Sequence, residues 1–99
     1  GYDRVLNVSL IESRSECFVI PTKAIVEVDN QTGVYILELN GLVKFRPIEI
    51  LTQNEIDTTI SIGDEKGNIK NKKGEDLRTL SAFEEVITEP ENIEEGEIL

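Results

Sequence analysis

The sequence predicts an all-β protein, and three features of the chain support this prediction. Its apolar residues, many of them β-branched, occur in short runs that alternate with polar residues. Turn-forming residues such as Gly, Asn and Asp separate these runs, as they do between strands. No heptad pattern, repeat or long amphipathic helix is present in the 99 residues, a length that fits one small domain.

The first strands are expected to form a hairpin that ends at a proline. Residues Arg4–Ile11 alternate loosely, Glu12–Glu16 form a polar turn, and Cys17–Ile20 form a second apolar run. Pro21–Ala24 predicts a bend or a single helical turn, because proline suits the first turn of a helix. We therefore place a domain boundary between residues 20 and 21.

Two turn signals organise the centre of the chain. Asp29–Gly33 separates the apolar runs Ala24–Val28 and Val34–Leu37, and Asp, Asn and Gly favour turns. Asn40-Gly41 is the pair preferred in type I′ turns, where both central residues need a positive φ. The sequence therefore predicts two consecutive hairpins.

The strand after the second turn is predicted to change sheets at a proline. Val43 and Phe45 lie on one face of this strand, whereas Lys44 and Arg46 lie on the other. Beyond Pro47 the apolar residues change phase by one position, and proline cannot donate a ladder hydrogen bond. We expect the chain to bend at Arg46-Pro47 and to pair with a new neighbour.

The second half of the chain is predicted to add short strands. Glu55–Ile62 alternates regularly between apolar and polar residues, as a strand with one wet face does. The segment Asp64–Arg78 is rich in turn residues, and its structure stays open. Ser81–Glu84 predicts one helical turn capped by its two end residues. Short strands are expected at Glu85–Thr88 and Glu97–Leu99.

The chain is strongly acidic, with a net charge of −10. Residues 1–50 carry seven acidic and five basic residues, whereas residues 51–99 carry thirteen acidic and five basic ones. Nucleic-acid binding depends largely on neutralising phosphates, so this balance argues against DNA or RNA as a partner. It also argues against a polybasic membrane patch, and the acidic C-terminal segment is most simply explained as a solvated surface.

Candidate catalytic, cofactor-binding and metal-binding groups are scarce in the sequence. The chain has no histidine and one cysteine, Cys17, which we expect to be a small buried apolar residue. Asp64-Glu65 and Glu84-Glu85 lack the alternating ligand spacing of a calcium loop, and no phosphate-loop motif is present. We therefore predict that the protein is not an enzyme and uses no cofactor or metal.

Lys44 and Arg46 are the candidate partner-contact residues. They lie two residues apart on one strand face of an otherwise acidic chain. A solvated face is the simpler explanation, and a contact with the acidic surface of a partner is the alternative, since exposed charges steer partners and fix their register. If they are contacts, charge reversal at both should weaken partner binding without unfolding the domain.

The order of the central segments is similar to that of a known family. The pattern runs through Phe18–Val26, Gly33–Ile36, Asn40-Gly41 and Val43–Glu49, and Ile93–Leu99 completes it. It resembles the C-terminal part of HlyD-type periplasmic adaptor proteins, also called membrane fusion proteins. In that family, a V-P-x-x-A-ϕ segment enters the membrane-proximal domain, and G-V-ϕ-V and V-x-x-R-x-V segments form strands of a β-roll.

The resemblance carries implications for domains and function. Residues 1–20 would be the terminal strands of a β-barrel domain, and residues 21–99 a barrel-like β-roll, the membrane-proximal domain. The chain would be the extracytoplasmic end of a non-catalytic adaptor in a bacterial efflux or secretion system. It would pack on an inner-membrane transporter of the ABC or RND type and self-associate. The family's membrane anchor, lipoyl-like domain and helical hairpin have no counterpart in this sequence, so the anchor would belong to a longer protein.

Two alternatives fit the same residues. The first is an accessory β-domain of a secreted or cell-surface protein that binds a glycan or a polypeptide. The second is a β-domain attached to a cytoplasmic enzyme. The residues encoded upstream of Gly1 would separate all three functions.

Two further expectations concern packing and assembly. Inward strand phase predicts one core in which Tyr35 or its neighbours, Val43 and Phe45 pack with Ile25, Ile60 and Val86. The strand Arg4–Ile11 has one charged residue to protect its edge. We therefore expect the fragment to dimerise, or to exchange its N-terminal hairpin, through that edge.

Overall fold

The chain is an all-β protein in the computed structural model, which describes residues 8–10, 12–14, 17–82, 84–90 and 96. These residues form eleven strands and one 3-10 turn, Thr22–Ala24, which confirms the predicted class and the predicted bend after Pro21. The described strands form antiparallel sheets rather than a closed barrel. They are β1 (Val8–Leu10), β2 (Glu12–Arg14), β3 (Cys17–Pro21), β4 (Ile25–Val28), β5 (Gln31–Leu37), β6 (Val43–Pro47), β7 (Ile50–Gln53), β8 (Asp57–Ser61), β9 (Asn68–Lys70), β10 (Asp76–Arg78) and β11 (Glu85–Ile87).

Five strands form sheet A around the long strand β5. Strand β6 pairs along one edge of β5, from Val43 opposite Leu37 to Pro47 opposite Gly33. The other edge of β5 is shared, because β4 pairs with its first half and β11 pairs with its end. Strand β1 lies outside β11.

Sheet B contains four antiparallel strands in the order β2, β3, β8 and β7. Strands β3 and β8 pair from Cys17 opposite Ser61 to Pro21 opposite Asp57. A separate hairpin of β9 and β10 occupies much of the segment that the sequence left open. The predicted boundary between residues 20 and 21 falls within β3, and the division of the chain into two domains stays a prediction.

The chain crosses from sheet A to sheet B after Pro47, which confirms the predicted change of partner. Strand β6 ends at Pro47 in sheet A, and β7 begins at Ile50 in sheet B. Between them, the N–H of the buried Ile48 donates to the Thr32 carbonyl oxygen at 3.1 Å. The Pro47 carbonyl oxygen accepts a hydrogen bond from the Thr79 hydroxyl at 2.7 Å. These bonds satisfy the backbone where the strand ladder stops.

The main hydrophobic core joins the two sheets. Buried side chains from β3 and β8 of sheet B pack against side chains from β5 and β11 of sheet A. Burial of these apolar groups is the largest favourable contribution to folding. The core consists of Phe18, Ile20, Ala24, Val34, Ile36, Ile48, Ile60, Leu80 and Val86, with Ile25 and Ala82 partly buried against it.

A second, smaller cluster covers the opposite face of sheet A, and it corrects part of the predicted core. The neighbours of Tyr35 do share a core with Ile25, Ile60 and Val86, whereas Val43 does not. Val43 and Ile87 are buried there with Tyr35 and Leu37 beside them, separate from the core that contains Ile60. Alternation along β5 places residues 34 and 36 on one face and residues 35 and 37 on the other. Because β5 carries apolar residues on both faces, alternation along this strand could not show that those residues belong to two separate clusters.

Both central hairpins form, but their turns differ from the prediction. The first turn contains only Asp29 and Asn30, whose φ angles are 51° and 66°, as a type I′ turn requires. At the second turn only Gly41 has a positive φ, of 84°, and its N–H donates to the Glu38 carbonyl oxygen at 2.9 Å. Leu39 and Asn40 complete a three-residue loop, so the type I′ prediction for Asn40-Gly41 was wrong.

The N-terminal strands pair differently from the predicted hairpin. Strand β1 pairs with β11 in sheet A, whereas Glu12–Arg14, predicted as a turn, is a strand that pairs with β3. Sequence patterning could not show that the chain changes sheets within this short stretch. Glu85–Thr88 is confirmed as β11 to within one residue. The predicted strand Glu97–Leu99 lies outside the described residues.

Candidate partner-binding surface

The candidate partner-binding surface is the end of the β5–β6 hairpin. The loop is closed by the Glu38 N–H, which donates to the Leu42 carbonyl oxygen at 2.9 Å. The Asn40 side-chain oxygen accepts from the Leu42 N–H at 3.0 Å, so the loop is fixed by its own hydrogen bonds. Leu39 stands at the tip of this ordered loop and is fully exposed. An exposed leucine is common on protein surfaces by itself, and its neighbours decide whether it marks a contact.

Lys44 lies beside this loop and is accessible to a partner. Its ammonium nitrogen is 3.3 Å from a carboxylate oxygen of Glu38, and its side chain is 44% exposed. An exposed ion pair of this kind contributes little to stability, because water and salt screen it. Lys44 can therefore exchange Glu38 for an acidic group of a partner at little cost.

Arg46 lies on the same strand face but is held inside the protein. Its Nε donates to Glu84 Oε2 at 3.2 Å, and the two side chains are only 20% and 16% exposed. The expected exposed basic pair is therefore wrong for Arg46. Its role as a partner contact, like that of Lys44, stays a prediction.

Glu84 connects this ion pair to the preceding turn. Its second carboxylate oxygen accepts from the Ser81 N–H at 2.9 Å and from the Ser81 hydroxyl at 3.2 Å. The Glu84 N–H in turn donates to the Ser81 carbonyl oxygen at 3.2 Å. The described residues of this segment form a turn instead of the predicted helical turn. The predicted side-chain contact between Ser81 and Glu84 is nevertheless present.

An open groove of about 620 Å³ runs beside the hairpin end. Residues 36–41, Glu84 and Glu85 line it, so its lining combines the exposed Leu39 with the acidic residues Glu38 and Glu85 and the Arg46-paired Glu84. The groove, Leu39 and Lys44 together form a surface with one exposed apolar side chain and charges of both signs. This surface can bind a protein partner through complementary shape, and its charges can fix the orientation of that partner.

The other candidate groups lie apart from this surface. Cys17 is a free, half-buried thiol on β3, so it is less buried than expected. Asp64 accepts hydrogen bonds from the Asn68 and Lys66 backbone N–H groups at 3.0 and 2.9 Å, and these bonds hold the pKa of its carboxyl below the usual value. No group of three or more Cys, Asp and Glu within the described ranges is arranged to hold a metal ion.

Comparison with models of protein families, with curated proteins and with solved structures found no match. Within the part of the chain that the structure describes, no helix has the length and apolarity needed to cross a membrane.

The sequence identified one residue of this surface, Lys44, and the neighbouring Arg46, and it missed the others. Lys44 and Arg46 stood out because bases are rare in an acidic chain. Leu39 gave no signal because it continues the apolar pattern of β5. Glu84 was recognised only for its local contact with Ser81, since a pairing with Arg46 across 38 residues leaves no mark in the sequence.

Proposed function

We propose that this chain is the transporter-facing part of a non-catalytic adaptor of the membrane fusion type, acting outside the cytoplasm in a bacterial efflux or secretion system. The observation that carries the proposal is the ordered resemblance from β3 to β6 together with the surface at its end. The residues of the pattern form β3, the 3-10 turn, β4, β5 and β6 in that order. The resemblance implies strands in these segments.

The hairpin end suits a docking role because it is both ordered and accessible. Five residue pairs join β5 to β6, so the loop extends from a firm two-stranded base. Leu39 offers an apolar contact, and Lys44 offers a charge whose ion-pair partner among the described residues, Glu38, is itself partly exposed. A small number of such residues can supply most of the binding energy of an interface. The proposed partner is a membrane transporter of the ABC or RND type.

The alternative is an accessory β-domain of a secreted or cell-surface protein that binds a glycan or a polypeptide. A cleft of about 510 Å³ favours it, lying between the β4–β5 turn and the β9–β10 hairpin. Phe45, Pro47 and Leu77 contribute apolar lining, while Asn30 and Lys72 contribute polar groups. Aromatic and aliphatic surface with a few polar groups is typical of small-ligand sites.

Purification of the full-length protein from its own cells separates these functions. The protein is isolated from membranes in mild detergent, and co-purifying proteins are identified by mass spectrometry. The adaptor proposal expects an integral membrane transporter that is retained by wild-type protein and lost from a Leu39→Asp, Lys44→Glu variant. Recovery of a glycan or a secreted polypeptide, with no transporter, would favour the alternative.

A further inference from the structure

The exposed apolar side chains are concentrated on one hairpin of sheet B. Six large apolar residues are exposed in the described part of the chain, and four of them lie within residues 50–62. They are Ile50, Leu51, Ile56 and Ile62. Concentration of apolar surface at one place marks an interaction site more strongly than scattered residues do.

Strand β7 is the edge strand of that hairpin, and all four of its residues are exposed. Its strand neighbour in the described part of the chain is β8, with a bulge between Ile50 and Thr52. An edge strand presents a row of backbone donors and acceptors to any extended segment that can pair with it.

β7 lacks the charged residues and proline that protect three of the other described edges. Proteins protect strand edges with charged residues or proline. Strands β2, β4 and β6 each carry charged residues, and β6 also ends in proline. The four residues Ile50, Leu51, Thr52 and Gln53 contain neither. The edge strand β1 also contains neither. β7 differs from β1 in lying among the exposed apolar residues of 50–62, and its bulge leaves Thr52 and Gln53 as the regular part of the ladder.

The charges around β7 indicate what would pair with it. Glu49 precedes the strand and Glu55 follows it, and both are exposed. The neighbouring Asp57 adds a third exposed carboxylate near the same end. A neutral strand with acidic residues at both ends matches a segment with a neutral centre and basic ends. A second copy of this acidic chain would bring the same carboxylates to the interface.

We propose that β7 binds an extended polypeptide by strand addition, and that the bound segment has an uncharged, β-branched centre flanked by lysine or arginine. The backbone of β7 supplies the pairing, and Ile50 and Leu51 supply apolar contact. Glu49 and Glu55 select the basic flanks. This inference goes beyond the adaptor proposal and does not depend on it.

A peptide titration of the 99-residue chain tests the proposal. The probe is a short peptide with a Thr-Val-Thr-Val centre and two lysines at each end, and the control peptide has glutamates in place of the lysines. Backbone amide signals of residues 49–55 should shift with the lysine peptide, and its affinity should exceed that of the glutamate peptide at least tenfold. Shifts confined to another surface, equal affinity for both peptides, or no binding would overturn the proposal.

Two edge variants, one control variant and a dilution series complete the test. Leu51→Lys should weaken binding of the lysine peptide at least tenfold, because a lysine on the edge opposes strand addition. Thr52→Lys serves the same purpose if the first variant folds poorly, and Val8→Lys is the matched control at an exposed apolar residue on a different edge strand. Unchanged binding by the edge variants would overturn the proposal. Signals of residues 49–55 that shift with protein concentration alone would assign this edge to a second copy, which also overturns it.

Discussion

Arg46 Nε donates to Glu84 Oε2 at 3.2 Å and joins β6 to the segment that leads into β11. The same carboxylate holds the Ser81 backbone, so one side chain links three parts of the chain. Both partners of the ion pair are mostly buried. This bond explains why a basic residue occupies a strand face that also carries the core residues Val34 and Ile36.

Removing Arg46 should therefore destabilise the domain. Arg46→Ala leaves the Glu84 carboxylate partly desolvated without its cation, and we expect the free energy of unfolding to fall by about 1–3 kcal/mol. Lys44→Ala is the matched control, because its ion pair is exposed and should contribute less than about 0.5 kcal/mol. Urea unfolding measures both values. Equal effects for the two variants would show that the Arg46 pair has no special role.

Gly33 should be intolerant of any side chain. It lies in β5 with an extended backbone, and a Cβ atom there would meet the Arg46 carbonyl oxygen and the Phe45 ring. The backbone oxygen cannot move aside without breaking the β5–β6 ladder, so Gly33→Ala should reduce stability by about 1–3 kcal/mol. Amide signals of residues 44–46 should shift in its NMR spectrum. A stable variant with an unchanged spectrum would mean that the strands approach less closely than described.

Truncating Phe45 should lower the free energy of unfolding less than truncating a core isoleucine. This revises the sequence-based expectation that Phe45 belongs to the shared core. Phe45 is half-buried and meets Tyr35 edge-on, with the ring centroids 6.1 Å apart. Ile36 is 2% exposed and lies in the main core, so Ile36→Ala should lower stability by about 2–5 kcal/mol. Phe45→Ala should lower it by about 1–3 kcal/mol. Thermal and urea unfolding of the pair checks the order, and a larger loss for Phe45→Ala would contradict the two-cluster description.

Asp64 should titrate below its usual pKa of 3.8, because backbone N–H groups of Asn68 and Lys66 stabilise its charged form. A group with a lowered folded-state pKa stabilises the fold above its unfolded pKa, and that stabilisation is lost as pH falls through the folded value. The Asn68 amide signal, followed by NMR from neutral to acidic pH, reports this titration. In Asp64→Asn, which keeps an acceptor oxygen without the charge, that transition should disappear. A midpoint above 3.8 in the wild-type chain would show that these bonds do not favour the carboxylate.

The sequence predicted the strands that local patterns define. The 3-10 turn after Pro21, the change of sheet after Pro47 and the strand β11 all follow from proline chemistry and apolar alternation. The turn between β4 and β5 was predicted in the right place, but its length was wrong, because Gly33 serves close strand packing and the turn needs only Asp29 and Asn30.

The rest depends on contacts between distant segments. Alternation in Glu55–Ile62 predicted a strand, and Thr58 and Ile60 are buried as their phase requires. Ile56 and Ile62 have the same phase but lie beyond the strand ends and are exposed. Periodicity gives the face of a residue, whereas burial depends on what packs above it. For the same reason the sequence found Lys44 as a surface residue and could not place Arg46 inside.

Site-specific crosslinking tests the adaptor proposal most directly. A photo-reactive amino acid is placed at position 39 of the full-length protein in its own cells, and at position 70 as the control. Leu39 and Lys70 are both exposed, but Lys70 lies on the separate β9–β10 hairpin. The proposal predicts adducts with an integral membrane transporter from position 39 and none from position 70. Absence of any transporter adduct from position 39, in cells where the protein is abundant and folded, would contradict it.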